Sequence, residues 1–252
     1  RWELFGRETF TMEGDPAAIV IADSWIKGLR DFDIETAYEA MLKSATTEGA
    51  KNPIRRDIDP YIKDGFIPLW YFSNDLSGDN SVSHALEYCS ADYAIAQLAD
   101  SLGDKARAKE FLKRSQSYRR YFCKEHGTLR PLTKEGEFLG DFDPATGKNF
   151  ENVPGFHEAS AWCYTFAVPH DLAGLTKLMG GKKNFVKSLQ GVFDNGHYDP
   201  ANEPDIVYAY LFSRIKGEEW RTQKEVKNIL DNHYKNAPDG IPGNDDTGTM
   251  SA

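Results

Sequence analysis

Apolar residues recur at helical spacing along almost the whole of this chain. Asp15-Pro16 predicts a helix start, followed by Ile19, Ala22, Trp25, Ile26 and Leu29. A second helix is predicted from Asp33 through Ala37, Ala40, Met41 and Ser44. Ala91, Ala94, Ile95, Leu98 and Leu102 keep the same spacing until Gly103 stops them. Asp104 then caps the next helix, with Ala108, Phe111, Leu112, Ser115 and Phe122 on one face. Another helix runs through Ala161, Trp162, Thr165 and Phe166 until Pro169. Pro204 suits a first turn, with Ile206, Val207, Tyr210 and Leu211 continuing toward Gly217. Val226, Ile229, Leu230 and Tyr234 mark the last helix. The pattern predicts a mainly α fold, roughly eight helices or more in antiparallel pairs joined by long loops.

The stretch from Thr128 to Gly155 holds Pro131, Gly136, Gly140, Pro144, Gly147 and Pro154, so it reads as ordered loop. A short hairpin near Phe138 to Phe142 is expected, with any strands confined to this region. Ala91 to Phe122 looks like one helical hairpin of the tetratricopeptide type. An array needs about three copies at a fixed period, and no second copy follows.

The chain has 252 residues, enough for one large domain or two small ones, and 40% are hydrophobic, enough for a sizeable core. The net charge of −9 argues against nucleic acid or an anionic membrane surface as partner. No apolar run approaches the roughly 18 residues of a membrane span. The chain opens on Arg1-Trp2-Glu3-Leu4 and stops at Met250-Ser251-Ala252, which reads as a piece of a longer protein. Cys89, Cys123 and Cys163 lack metal-ligand spacing, and Cys89 and Cys163 read as buried thiols. Aromatic residues make up 13%; they suit either packing between helices or stacking on sugars.

Three acid-bearing segments are candidates for chemistry. Asp245 and Asp246 stand side by side in a loop shaped by Gly240, Pro242, Gly243 and Gly248. The pair is a solvated turn or a pair of acids held beside a pocket. Glu158 is predicted in or next to the first turn of its helix, beside His157 and Trp162. There it either complements the helix dipole or serves as a general acid, which needs burial or a like charge to keep its proton. Asn202-Glu203-Pro204-Asp205 is a helix cap followed by proline, or a set of oxygens for a hard cation such as calcium. Two carboxylates on different loops facing one aromatic-lined pocket is what glycoside hydrolysis needs.

Several strings carry a family resemblance: RWELFGRETFTMEGDP, VSHALEYCSADYAIAQLADSLGD, EASAWCYTFAVPHD, GLTKLMGG, NEPDI, WRTQ and PDGIPGNDDTGTMSA. In these, and in their order, the chain resembles family 92 of the glycoside hydrolases, calcium-dependent, inverting exo-acting α-mannosidases. The resemblance implies part of an (α/α)6 toroid, residues 1–252 being a partial catalytic domain that normally adjoins an N-terminal β-sandwich. It implies Glu158 as general acid and Asp246 as general base. The family's acid two places before the base is Asn244 here, so Asp245 takes part of that role. Asn202 and Glu203 map to the calcium region, and His157, Trp162 and Asn244 to the substrate. Pro200-Ala201 stands where the family often has His-Gly, which leaves the ligand set and the linkage open. The implied substrate is a mannose-bearing glycan, N-glycans included, in the periplasm or outside the cell. A helical glycan- or protein-binding module without turnover is the alternative, and a toroid acting on another glycan or as a lyase is a third.

Overall fold

The structure, a computed structural model, describes residues 14–72, 79–148, 151 and 153–243. Among them are eleven α-helices and one two-stranded ladder. The helices are α1 (Pro16–Ile26), α2 (Ile34–Thr46), α3 (Ile58–Asp64), α4 (Ser81–Leu102) and α5 (Lys105–Arg114), then α6 (Ala161–Thr165), α7 (Leu172–Leu178) and α8 (Lys182–Asp194). The last three are α9 (Glu203–Ile206), α10 (Tyr208–Leu211) and α11 (Glu219–His233). Strands β1 (Phe122–Cys123) and β2 (Thr128–Leu129) form the ladder. The chain makes two compact units. The first takes the described residues of Arg1–Phe122, Arg130–Phe142 and Pro154–His157; the second takes those of Cys123–Leu129, Asp143–Val153 and Glu158–Ala252.

The first unit is built on α4, 22 residues long and buried along nearly its whole length. Ala91, Ala94, Ile95 and Leu98 of α4 meet Ala18 and Ala22 of α1, Met41 and Ala45 of α2 and Phe111 of α5. Small residues on the contact faces let the helix axes approach closely. Helix α4 ends at Gly103 in the left-handed region, φ +85°, and the Asp104 side chain caps α5 through the Arg107 amide. Asp33 caps α2 in the same way, through the Thr36 amide.

A buried charge cluster ties these helices together. The Arg55 guanidinium, with no solvent exposure, reaches Asp92 of α4 at 2.8 Å and Asp15 at 3.1 Å. Asp92, equally buried, also accepts from Arg114 Nε at 2.9 Å and the Tyr61 hydroxyl at 3.1 Å. A buried ion set of this kind stands only while every member is paired, because desolvation of a lone ion costs several kcal/mol.

In the second unit Tyr208 joins α10 to α6. Its hydroxyl donates to the Cys163 carbonyl at 2.6 Å and accepts from the Phe166 amide at 3.0 Å. Phe166 packs edge-on against both Phe185 of α8 and Tyr208, with ring centroids 5.4 Å apart in each pair. Thr165 Oγ1 accepts from the Leu129 amide at 3.1 Å, fixing β2 on α6.

Several sequence expectations need correction. Helix α1 ends at Ile26, Gly28 (φ +88°) follows, and Leu29 lies beyond at 65% exposure. Its buried face is Ala18 and Ala22, because the helix is apolar on two sides and only the small-residue side fits α4. Helix α5 stops at Arg114, and a 3-10 turn over Ser117–Tyr121 then turns Phe122 into β1, so a strand lies upstream of Thr128. The hairpin forms earlier than Phe138 to Phe142: Leu132 bridges Phe138 across a turn at Thr133–Gly136. Gly136 supplies the required φ of +81°, and Phe142 instead stacks beneath Arg130 at 5.5 Å. The helix expected after Pro204 breaks at Val207 into α9, α10 and a 3-10 turn. Helices α3, α7 and α8 were not marked out by the periodicity.

Asp92→Asn should cost about 3–5 kcal/mol, since it leaves the buried Arg55 charge short of a partner. Thermal denaturation of the variant should show a melting temperature lower by about 10 °C or more. Asp23→Asn, which breaks the exposed pair with Lys27, should shift stability by less than about 0.5 kcal/mol.

Candidate active site

Glu158 does not lie in a helical turn. Helix α6 begins at Ala161 with Ser160 as its cap, and Glu158 precedes the cap by two residues in the left-handed region, φ +47°. The five-residue helix has only a weak dipole to offer at that distance, so the field expected to favour the ionised acid is largely absent. A non-glycine residue with positive φ costs of order 1–3 kcal/mol and needs support from its surroundings. Two glycines make the approach possible. Gly155 turns at φ +89°, and a Cβ on Gly147 would stand 2.6 Å from the Ala159 carbonyl.

The Glu158 backbone is held from the other side by Asn202. Asn202 Nδ2 donates to the Glu158 carbonyl at 2.8 Å, and the asparagine is 5% exposed. With Nδ2 committed, Oδ1 is the group Asn202 has left to offer. Glu203, half-buried at the start of α9, has no hydrogen bond or ion pair among the described residues. The structure thus brings Asn202 to the Glu158 backbone across 44 residues of sequence.

Asp205 is a residue that sequence reasoning passed over as part of a cap. It is fully buried, and its Oδ2 accepts from the Asp199 amide at 2.9 Å. Oδ1 has no partner among the described residues. Burial raises its pKa above the usual carboxylate value; the Cys163 thiol beside it is pushed up to about 12, first by burial and then by Asp205. Asp205 closes the loop 199–205 from below and so sets where Asn202 points. The only sequence signal was an acid following proline in a helix entry, which also describes an ordinary cap.

Trp162 has one indole face already stacked. It stacks on His197, centroids 5.2 Å apart and planes within 8°. Burial lowers the His197 pKa, against an opposing pull from Asp143, so the stacked imidazole tends to neutrality. His197 belongs with Trp162 as one aromatic wall, and a lone His between glycine and tyrosine gave no sign of it.

His157, the residue before Glu158, is placed by the first unit. Its amide donates to Ser83 Oγ at 3.0 Å, and its Nδ1 lies 3.0 Å from Asn80 Nδ2. With the amide nitrogen donating, Nδ1 is an acceptor and the ring proton sits on Nε2. Burial, then the nearby His84, pushes the His157 pKa down to about 4, so the ring is a neutral donor at physiological pH.

Asn244, Asp245 and Asp246 lie outside the described residues, which end at Gly243. Gly243 itself is informative. It turns at φ +62°, and a Cβ there would fall 2.5 Å from the Ala201 Cβ. Gly243 is thus packed against the residue before Asn202. The surface grooves of the second unit, one around Tyr210, Val226 and Leu230 and another around Leu172, Thr176 and Leu211, include neither Glu158 nor Asn202.

Comparison with known proteins gives this geometry its context. Residues 1–252 match the glycosyl hydrolase family 92 catalytic domain. The chain is 32% identical to a family 92 α-mannosidase of Bacteroides thetaiotaomicron solved with mannoimidazole, covering 98% of this chain and 33% of that one, with a TM-score of 0.85. A second structure from the same organism, of a family 92 inverting mannosidase, is 26% identical over 97% of this chain and 35% of its own, with a TM-score of 0.78. An uncharacterized secreted glycosidase of Arthroderma benhamiae is 27% identical over 96% of this chain and 34% of its own length. The chain spans about a third of the length of these relatives. The fold class expected from the sequence, mainly α and part of an (α/α)6 toroid, is the one these structures share. Matched along its whole length, the chain belongs to glycosyl hydrolase family 92.

Proposed function

We propose that the protein containing this chain removes terminal α-linked mannose from glycans, N-glycans included, with inversion at the anomeric carbon. One observation carries the reading: Gly243 is packed on Ala201, next to the asparagine that holds the Glu158 backbone. Asp245 and Asp246 follow Gly243 by two and three residues. Glycoside hydrolysis needs two acids on separate loops facing one spot, and in this reading Glu158 and Asp246 are that pair. The similar structures are mannosidases, one of them inverting, which supports mannose as the sugar and inversion as the outcome. The secreted glycosidase among the relatives supports action outside the cytoplasm.

In this reading Glu158 gives its proton to the leaving oxygen, and Asp246 takes one from the water attacking the opposite face. Asp245 supports the base where Asn244 supplies no charge. Inversion needs space for that water, so the two carboxyl groups stand roughly 6.5–9.5 Å apart in the working site. Asn202 and Asp205 hold the geometry: the first fixes the Glu158 backbone, the second fixes the loop that carries Asn202. His157 donates from Nε2 to a sugar hydroxyl, and Trp162 with His197 forms an apolar wall.

The residues present fit calcium. Asn202 Oδ1 and the unpaired Glu203 carboxylate are adjacent hard oxygen donors. No cluster of three or more His, Cys, Asp or Glu able to hold a metal occurs among the described residues, which disfavours zinc. When bound, calcium would supply a site for two vicinal hydroxyls of one sugar ring.

Four measurements test the proposal on the full-length protein. On a substrate whose leaving group needs no proton, such as α-mannosyl fluoride, Glu158→Ala should keep much of the rate, whereas Asp246→Ala should lose it by roughly a hundredfold or more. The first product seen by NMR should be β-mannose; an α first product, or undiminished activity of both variants on natural α-mannosides, contradicts the assignment. Exhaustive chelation should abolish turnover and added calcium restore it. Asn202→Ala should lower kcat roughly tenfold to a hundredfold and raise the calcium requirement, and a kinetically silent substitution would remove Asn202 from the site.

A further inference from the structure

The first unit carries a polar stripe that the proposed chemistry does not use. Asn80 caps α4, His84 follows it by four residues, and Glu87 follows His84 by three. Side chains so spaced share one face of a helix. On a helix buried along nearly its whole length, a polar face is costly unless its groups are paired. His84 is paired: its Nδ1 lies 2.5 Å from Asp57 Oδ2, and Asp57 Oδ1 accepts from the Tyr88 hydroxyl at 2.7 Å. Nδ1 therefore carries a proton, and Nε2 is an acceptor while the ring is neutral. Asn80 is 2% exposed, with Nδ2 given to His157 and Oδ1 without a partner among the described residues. Glu87 has no hydrogen bond or ion pair among the described residues.

Glu87 lies at the floor of a recess. Solvent reaches it, for it is only half-buried, yet burial pushes its pKa up to about 7, with His84 pulling the other way. A carboxyl that is both reachable and desolvated has protein around it on most sides and an opening on one. One wall is Gly14, which turns at φ +85°; a Cβ there would stand 2.6 Å from Glu87 Oε2. At the head of the stripe stands His157, whose amide donates to Ser83 Oγ at 3.0 Å. His157 is also half-buried, and burial, then His84, keeps its ring neutral. All of these residues belong to the first unit.

The groups present decide what such a recess takes. An anion would meet the Glu87 carboxylate and be repelled. A metal ion would need more ligands: among the described residues no three of His, Cys, Asp or Glu are grouped to hold one. A neutral hydroxyl suits every group, since it donates to a carboxylate and exchanges a hydrogen bond of either sense with an imidazole. We propose that the first unit holds a sugar by its hydroxyls in this recess, with Glu87 as the acceptor that grips them. The choice of mannose as that sugar rests on the mannosidase reading above, whereas the recess belongs to the first unit and needs no turnover.

The test reads Glu87 itself in the full-length protein. Carbodiimide with a small amine, applied at about pH 6 where this carboxyl is largely protonated, should label Glu87, and peptide mass spectrometry locates the label. Saturating mannose should cut the labelling of Glu87 roughly fivefold or more and leave the exposed Glu135 unchanged. In calorimetric titration Glu87→Ala should bind mannose roughly tenfold or more weakly than wild type. Glu87→Gln, which keeps the size and one acceptor, should lose less and melt within about 2 °C of wild type. No label at Glu87, labelling undiminished by mannose, or binding unweakened in Glu87→Ala overturns the proposal. So does a melting temperature several degrees lower in Glu87→Gln, the sign of a carboxylate that serves the fold. Neither readout needs turnover: a protein that hydrolyses no α-mannoside refutes the mannosidase reading, and protection of Glu87 still decides the recess.

Discussion

Asp92 is the point on which the first unit depends. It sits fully buried near the middle of the longest helix, and three donors from three other segments converge on it: Arg55, Tyr61 and Arg114. Arg55 in turn holds Asp15 at the head of α1. Coulomb attraction in a medium of low polarity is strong, but the desolvation cost of each ion is of similar size. Such a cluster contributes little net stability and a great deal of specificity, because any packing that unpairs one member is heavily penalised. It fixes the register of α4, and the head of α4 in turn carries Asp79, Asn80 and Ser83.

Function follows from what that register presents. Asn80 and Ser83 hold His157 by ring and by backbone, and the chain then enters Glu158 in a left-handed conformation. In the second unit Asn202 grips the Glu158 carbonyl from a loop closed by the buried acid Asp205. Candidate groups held by their backbone match the positioning within a fraction of an ångström that catalysis needs. Glu158, one of three described non-glycine residues with positive φ, is strained where Asn202 supplies the support. Strain stored next to polar scaffolding is a common mark of a working site.

How legible was this in the sequence? The caps were plain. Asp33, Asp104 and Gly103 do what their types dictate, because capping is a local interaction over three or four residues. The mainly helical class was plain too, since period 3.6 is a property of neighbouring positions. What failed was the choice between two apolar faces on α1, decided by the small residues that α4 could accept. The break after Ile206 also failed to show, because Tyr208 is held by α6 through hydrogen bonds to Cys163 and Phe166.

The sequence by itself determined the caps at Asp33, Gly103 and Asp104, the glycines that let the chain turn at 147, 155 and 243, and the acids that offered a chemical reading beside a structural one. Family strings added roles to those acids. Only the tertiary structure decided that Asn202 touches Glu158 across 44 residues, that Asp205 is fully buried, and that Trp162 stacks on His197. The reason is one of range. Dihedral preference, capping and periodicity act over a turn or two and are written in adjacent letters, whereas burial, orphaned oxygens and ring stacking depend on which distant segments the core brings together.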